Sequence, residues 1–294
     1  MLPVIHTFMQ NLVCTEHIRD VRAQVTTARK RGEQVGCVPT MGALHAGHLS
    51  LIHTASKECD YLVVTVFVNP TQFGPHEDFD EYPRPFEADL KVCREAGVDL
   101  VFHPNRVIMY PTGEATVVDV DSLANILEGK FRPGHFQGVA TIVAKFLNIV
   151  TPDVAYFGQK DFQQQLLIRQ MCRDLHIPVD VRTCPTIREP DGLALSSRNQ
   201  FLTPKQRQAA LTLIKSLKIA ETRLLAGDTD IGAIREEMFD YLNAAPGVQV
   251  DYATIANPGT LEEIAAPLTE MIALVAATVG STRLIDNLPI RLLN

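Results

Sequence analysis

Two imidazoles stand three residues apart, His45 and His48, in the stretch PTMGALHAGH, between a short apolar run and a segment with helical spacing. Gly42 and Gly47 let the backbone turn tightly and approach a ligand. The helix that His48 is expected to begin presents free N–H groups and a positive dipole end, which favour an anion. Three apart on a helix, the two rings can face one side. Such a pair can hold the α-phosphate of a nucleotide and stabilise the charge that builds on it under attack, phosphoryl-group chemistry without a P-loop. A His-x-x-His pair alone also suits a metal or two surface histidines. Zinc sites, however, add a third ligand in fixed register, and none stands at such spacing. Three further polar segments can join the pair: NPTQFG (69–74), GQKDFQQQ (158–165) and SSRN (196–199). Singly, GQKDFQQ reads as a helix-opening loop capped by Asp161 and SSRN as a polar turn. Together they supply cations, hydroxyls and amides suited to phosphate and carboxylate.

The elements that must position these residues are legible as alternating strand and helix signals. QVGCVPT (34–40), YLVVTVFV (61–68), VDLVFHP (98–104), VAYFG (154–158) and VDVRTCP (179–185) are short apolar runs closed by turn residues, hence buried strands. Between them GHLSLIHTASKE, PFEADLKVCREAG, FQGVATIVAKFLNIV and DFQQQLLIRQMCRDL carry apolar residues at three- and four-residue spacing. Strand and helix in alternation imply right-handed crossovers and a parallel sheet covered on both faces, a doubly wound (Rossmann-like) α/β fold. In such a sheet ligands bind at the carboxyl ends of the strands, and all four polar segments fall at or beyond those ends. After Pro185 the pattern changes to a turn-rich connector, TIREPDGLALSSRNQFL. Amphipathic helices near 204–226 and 230–244 follow, then strand-like VQVDYATIA, MIALVAATV and STRLIDN. Two domains are expected, 1–185 binding the ligands and a smaller α+β domain, 186–294.

Composition narrows the function classes. With 46% apolar and 21% charged residues over 294 positions, the chain can bury a sizeable core. A net charge of −7 argues against a nucleic-acid backbone as partner. No apolar stretch reaches roughly 18 residues, and MLPVIHTFMQNLV lacks a basic leader, so a cytoplasmic protein without membrane contact is expected. The six cysteines include no Cys-x-x-Cys pair and suggest neither a zinc site nor a disulfide framework.

PTMGALHAGH, VFVNPTQFG, YPR, GQKDFQQ, REPDGLALSSRNQFL and TRLIDN together resemble the pantothenate synthetase (pantoate-beta-alanine ligase) family of nucleotidyltransferases, whose HIGH-type signature here is His45-Ala46-Gly47-His48. The likeness runs over nearly the whole chain and departs from the family pattern in a few extra N-terminal residues and in RPFEADL. It implies that pantoate and ATP form pantoyl adenylate and pyrophosphate, after which β-alanine takes the pantoyl group to give pantothenate and AMP. By that resemblance His45, His48, Lys160, Ser196, Ser197 and Arg198 stabilise the phosphates, and Gln72 and Gln164 clamp pantoate beside Met41. Gly158 and Asp161, the latter on the ribose, hold adenosine, with Ile187 near the adenine. Gly42, Ala43, Leu44, Ala46, Gly47, Gln159 and Leu195 complete the ATP-binding set. Mg²⁺ is expected with ATP, and Asp89 is either a ligand to it or part of a solvated helix face. Asn69, Arg132 and His135 are further candidates, a homodimer is implied, and the C-terminal region would serve as a lid hinged near 185–195. Two rivals remain: another adenylyl transferase of the group, which the acidic chain and Gln72 and Gln164 oppose, and a nucleotide sensor, which would not need groups on the departing pyrophosphate.

Overall fold

In the computed structural model, which describes residues 12–75 and 79–292, six strands form one parallel sheet. They are β1 (Val13–Thr15), β2 (Val35–Thr40), β3 (Tyr61–Val66), β4 (Leu100–Phe102), β5 (Val154–Gly158) and β6 (Asp180–Cys184), in the spatial order β1-β4-β3-β2-β5-β6. The leader expectation falls mostly on residues 1–11, outside the described ones. Among the described residues, eight helices accompany the sheet: α1 (Ile18–Lys30), α2 (Ala46–Glu58), α3 (Phe86–Glu95), the short α4 (Arg106–Met109), α5 (Asp121–Ala124) and α6 (Glu128–Phe131), then α7 (His135–Val150) and α8 (Phe162–Asp174).

Neighbouring residues of one strand serve opposite cores, which is why β3 reads as a nearly continuous apolar run, broken only by Thr65, rather than as alternation. Val63 packs with Val21 and Val25 of α1 and the buried faces of α7 and α8. Val64 packs with Leu51, Ile52 and Ala55 of α2 and Cys93 of α3. Helices therefore cover both faces, as a doubly wound sheet requires. The edge strand β1 and helix α1 carry little sequence signal. Three residues are too short a run to announce a strand, and α1 is strongly charged outside its buried stripe of Val21, Val25 and Ala28.

Beyond the connector, α9 (Pro204–Leu225) and α10 (Ile231–Asn243) precede an antiparallel sheet of β7 (Val248–Ala256), β8 (Glu270–Val279) and β9 (Thr282–Arg291) in the order β7-β8-β9. The middle strand β8 is buried on both faces. Met271, Ala273, Val275, Ala277 and Val279 meet the helices, while Ile272 and Leu274 join the core of the parallel-sheet region. An ion-pair cluster at the same junction joins Arg283 of β9 to Glu128 of α6 by two hydrogen bonds of 2.5 and 2.8 Å and to Asp251 of β7 at 2.7 Å.

Topology decides where the site lies. From β2 the chain winds one way to β3 and β4 and later the other way to β5 and β6, so the β2–β5 boundary is the switch point of the sheet. These two strands pair only at Gly36–Val154 and Cys37–Ala155. The loops that follow them carry the HIGH-type signature and GQKD.

Candidate functional site

The loop after β2 turns through two left-handed residues, Gly42 (φ 84°) and Ala43 (φ 51°). Ala43 carries a Cβ that disfavours this region, so the turn needs outside support. Asp89 of α3 supplies it: its two carboxylate oxygens accept hydrogen bonds from the Ala43 and Leu44 amides, at 2.9 and 2.7 Å. Asp89 is 3% exposed, which corrects its reading as part of a solvated helix face. With both oxygens engaged on the loop's backbone and its position beside Gly42 in a separate cavity, it acts on the site through the loop. Burial raises its pKa, while the two amides pull it back down.

The helix start also differs from the sequence reading. α2 begins at Ala46, with His45 as its N-cap and His48 inside the first turn. His45 Nδ1 accepts from the Gly47 amide at 3.1 Å, and His48 Nδ1 accepts from the His45 amide at 3.3 Å. Each ring therefore carries its proton on Nε2 and keeps one donor for a ligand. The ring centroids lie 4.1 Å apart. Burial lowers the pKa of both, to about 3 for His48, with His45 and Lys160 adding to the effect on it. Both are neutral at pH 7. Gly47 is required for a local reason, because a Cβ there would lie 2.8 Å from the His45 ring.

Opposite, β5 ends at Gly158 and a single 3₁₀ turn, Gln159–Asp161, leads into α8. The Lys160 ammonium stands 3.9 Å from the Asp161 carboxylate. The connector doubles back through an Arg188–Ala194 bridge and a 2.9 Å bond from the Leu195 amide to the Ile187 carbonyl. This places Ile187 and Leu195 side by side. Ser196 then caps a 3₁₀ turn, Ser197–Phe201, by accepting from the Arg198 amide at 3.3 Å. Asn199 pins that turn to Glu189 (2.7 Å) and to the Ala194 carbonyl (3.1 Å).

A third wall follows β3. Gln72 is buried, its Nε2 donating to Met41 Sδ at 2.7 Å and its Oε1 accepting from Asn69 at 3.2 Å. Asn69 in turn accepts from the Tyr110 hydroxyl at 2.7 Å and donates to the Gly138 carbonyl at 3.1 Å. His135 and Arg132 complete the frame: His135 Nδ1 donates to the Gln72 carbonyl at 2.7 Å, and Arg132 lies 3.0 Å from His135 Nε2. Gln164 makes no side-chain hydrogen bond to another described residue, so its half-buried amide is available to a ligand.

One cleft gathers these walls. Met41, His45, Gly47, His48, Gln72, Gly158, Lys160, Asp161, Gln164, Ile187, Leu195, Ser196, Ser197 and Arg198 all line it, as do Asn69, Arg132 and His135. Gly42, Ala43, Leu44, Ala46, Gln159 and Asp89 do not, and shape the loops behind it. The sequence reading missed Phe67, Val139, Ile142 and Val143, which form an apolar wall beside Gln72. The helical spacing of Val139, Ile142 and Val143 on α7 is that of any core-facing stripe, and Phe67 continues the apolar run of β3, so neither carries a separate signal.

A family model for pantoate-beta-alanine ligase matches residues 13–289. The chain belongs to the pantoate-beta-alanine ligase family. Among similar ligases, a pantothenate synthetase from Thermoanaerobacter sp. (strain X514) is 48% identical over 277 residues, 94% of this chain and 98% of that protein. The crystal structure of pantothenate synthetase from Thermus thermophilus superimposes with a TM-score of 0.89 at 44% identity, covering 94% of this chain and 98% of that one. A pantoate-beta-alanine ligase from Francisella tularensis, solved as a complex with beta-gamma ATP and beta-alanine, matches at 35% identity with a TM-score of 0.79, over 95% and 97% of the two chains. The resemblance drawn from the motifs is thus established at the level of the ligase family, and the doubly wound sheet with a smaller antiparallel sheet is the fold shared with those structures.

Proposed function

We propose that this cleft performs the ligase reaction in two steps, with ATP, pantoate and β-alanine as substrates. A carboxylate does not acylate an amine at neutral pH, because its leaving group would be an oxide. Adenylation replaces that group with a phosphate. A pantoate carboxylate oxygen attacks the α-phosphorus, the Pα–O bond to the β-phosphate breaks, and pyrophosphate departs. The β-alanine amine then attacks the acyl carbon, the C–O bond to AMP breaks, and the amine loses its proton.

The neutral His45 and His48 donate from Nε2 to the α-phosphate, while Lys160 and Arg198, with Ser196 and Ser197, take the charge of the leaving pyrophosphate. Gln72 and Gln164 bind the carboxylate and hydroxyls of pantoate without adding charge. The two methyl groups of pantoate suit the wall of Phe67, Val139 and Val143, and Met41 closes that subsite. Asp161 and Gly158 hold the ribose, with the adenine between Ile187 and Leu195. The single observation that carries this reading is the convergence of Lys160, both imidazoles and Arg198 on the cleft that also presents Gln72 and Gln164.

Mg²⁺ belongs to the reading as part of the ATP complex. Among the described residues no three His, Cys, Asp or Glu gather into a metal site, and Asp161 is the one carboxylate among those lining the cleft. This donor set fits an ion that arrives on the triphosphate and keeps its waters, neutralising phosphate charge. We divide the chain at 185/186, the C-terminal part excluding water from the adenylate. A cytoplasmic homodimer is also part of the proposal. Its support is the family likeness, the absence of any described helix able to cross a membrane, and the exposed Val107 and Val117; light scattering reads the assembly.

The test uses pantoate labelled with ¹⁸O in its carboxylate. Attack on the α-phosphorus moves one labelled oxygen into AMP. Label confined to pantothenate and water would exclude the adenylate.

A further inference from the structure

The sequence motif TRLIDN has no group lining the nucleotide cleft, yet two of its residues grip both of the walls that carry phosphate-binding cations. Asn287 of β9, 1% exposed, donates from Nδ2 to two successive carbonyls, Gln159 and Lys160, each at 2.9 Å. Its Oδ1 lies 3.4 Å from the Gln159 side-chain amide. The 3₁₀ turn it grips has no side-chain cap of its own, and neither does the start of α8. The neighbouring Asp286, 3% exposed, accepts two hydrogen bonds from Arg188 in the connector, at 2.7 and 2.9 Å, and one from the Asn287 amide at 2.8 Å. Arg188 also donates to the Asn287 carbonyl at 3.3 Å.

We infer that Asn287, braced by Asp286, is a positioning residue for adenylation: it holds the Lys160 turn in register with the connector that delivers Ser196, Ser197 and Arg198. A lysine side chain is long and rotamer-rich, so the place of its ammonium depends on how firmly its backbone is held. Two carbonyls bonded to one rigid, buried amide fix that backbone, and a 1 Å drift in such a group costs on the order of 10²-fold in rate. The inference rests on the proposed role of Lys160 at the leaving pyrophosphate.

Four measurements on the full chain test it. Asn287→Ala and the same-sized Asn287→Asp should slow pantoate-dependent ATP–pyrophosphate exchange about 10- to 100-fold, with KM for pantoate changed less than about twofold. Transfer from supplied pantoyl adenylate to β-alanine should change equally little. In a Lys160→Ala background the Asn287→Ala loss should nearly vanish, since a residue acting through another is not additive with it. For Asn287→Asp, the exchange rate relative to the parent should rise as pH falls from 8.5 to 6. A protonated acid restores a donor to the two carbonyls, and burial among those carbonyls and Asp286 raises the introduced carboxyl's pKa, opposed by Arg188 and Lys160. Asp161, Glu128, Arg132 and His135 share the small adjoining cavity, and their titration divides out against the parent. Equal losses in both half-reactions, or an undiminished Asn287→Ala loss on top of Lys160→Ala, would overturn the positioning role. Undiminished exchange in Lys160→Ala alone would overturn the role of Lys160 instead.

Discussion

Replacing Asp89 with asparagine separates two accounts of that residue. The carboxylate accepts from the Ala43 and Leu44 amides at 2.9 and 2.7 Å, and an isosteric amide can accept only one of them, setting its NH₂ against the other. One buried donor is left unsatisfied, which costs about 1–3 kcal/mol. At about 2–4 °C per kcal/mol for a chain of this class, the melting temperature should fall by roughly 2–12 °C. The Gly42–Ala43 turn, with φ of 84° and 51°, loses its support, so KM for ATP should rise. The Mg²⁺ concentration giving half-maximal ATP–pyrophosphate exchange should stay where it is in the parent. Differential scanning fluorimetry and an Mg²⁺ titration at saturating ATP read the two effects. An unchanged melting temperature with a several-fold greater Mg²⁺ requirement would refute the loop-anchor account and return Asp89 to the metal.

Titration of His48 should appear in stability. Its pKa is about 3 in the folded chain against about 6.5 unfolded, so between those values the unfolded chain binds more protons and stability falls as pH drops below about 6.5. From pH 7 to 5 the difference in urea unfolding free energy between the parent and His48→Asn should shift against the parent by about 2 kcal/mol. Gly138→Ala would put a Cβ 2.3 Å from the Thr71 carbonyl oxygen and 2.7 Å from the Gln72 amide. The Pro70–Gln72 turn must then retreat, and kcat/KM for pantoate should fall on the order of 10²-fold while KM for ATP holds in steady-state assays. Glu128→Ala leaves Arg283 without its bidentate partner and removes the acceptor of the Tyr252 hydroxyl, 2.8 Å away. Arg283 keeps Asp251 at 2.7 Å, so the loss is that of unsatisfied donors rather than of an uncompensated charge, about 1–3 kcal/mol, readable by denaturant titration.

Much of this molecule is legible in its sequence because period and position carry the information. β8 is the clearest case: MIALVAATV is apolar at every position but Thr278 since one face meets α9 and α10 and the other meets the larger core. The four polar segments were traceable to one cleft because the carboxyl-end rule needs only strand order and loop content. What the sequence hid depends on distance through space. The Asp89 clamp spans 46 and 45 positions to its two amides, and a carboxylate in an amphipathic helix looks the same whether it meets water, metal or backbone. Sequence spacing starts α2 two residues late because a histidine is an unusual cap, recognisable only once its Nδ1 is seen to accept the Gly47 amide. The grip of Asn287 on the Lys160 turn spans 127 positions and has no local signature.

On the proposed reading, pantoate is activated as an adenylate before β-alanine takes part. The direct measurement is exchange of labelled pyrophosphate into ATP by the purified chain with Mg²⁺, with and without pantoate and with β-alanine withheld. Exchange should require pantoate, proceed without β-alanine, and collapse in Lys160→Ala and His48→Asn. Folded protein that forms pantothenate yet exchanges no pyrophosphate until β-alanine is added would contradict that reading.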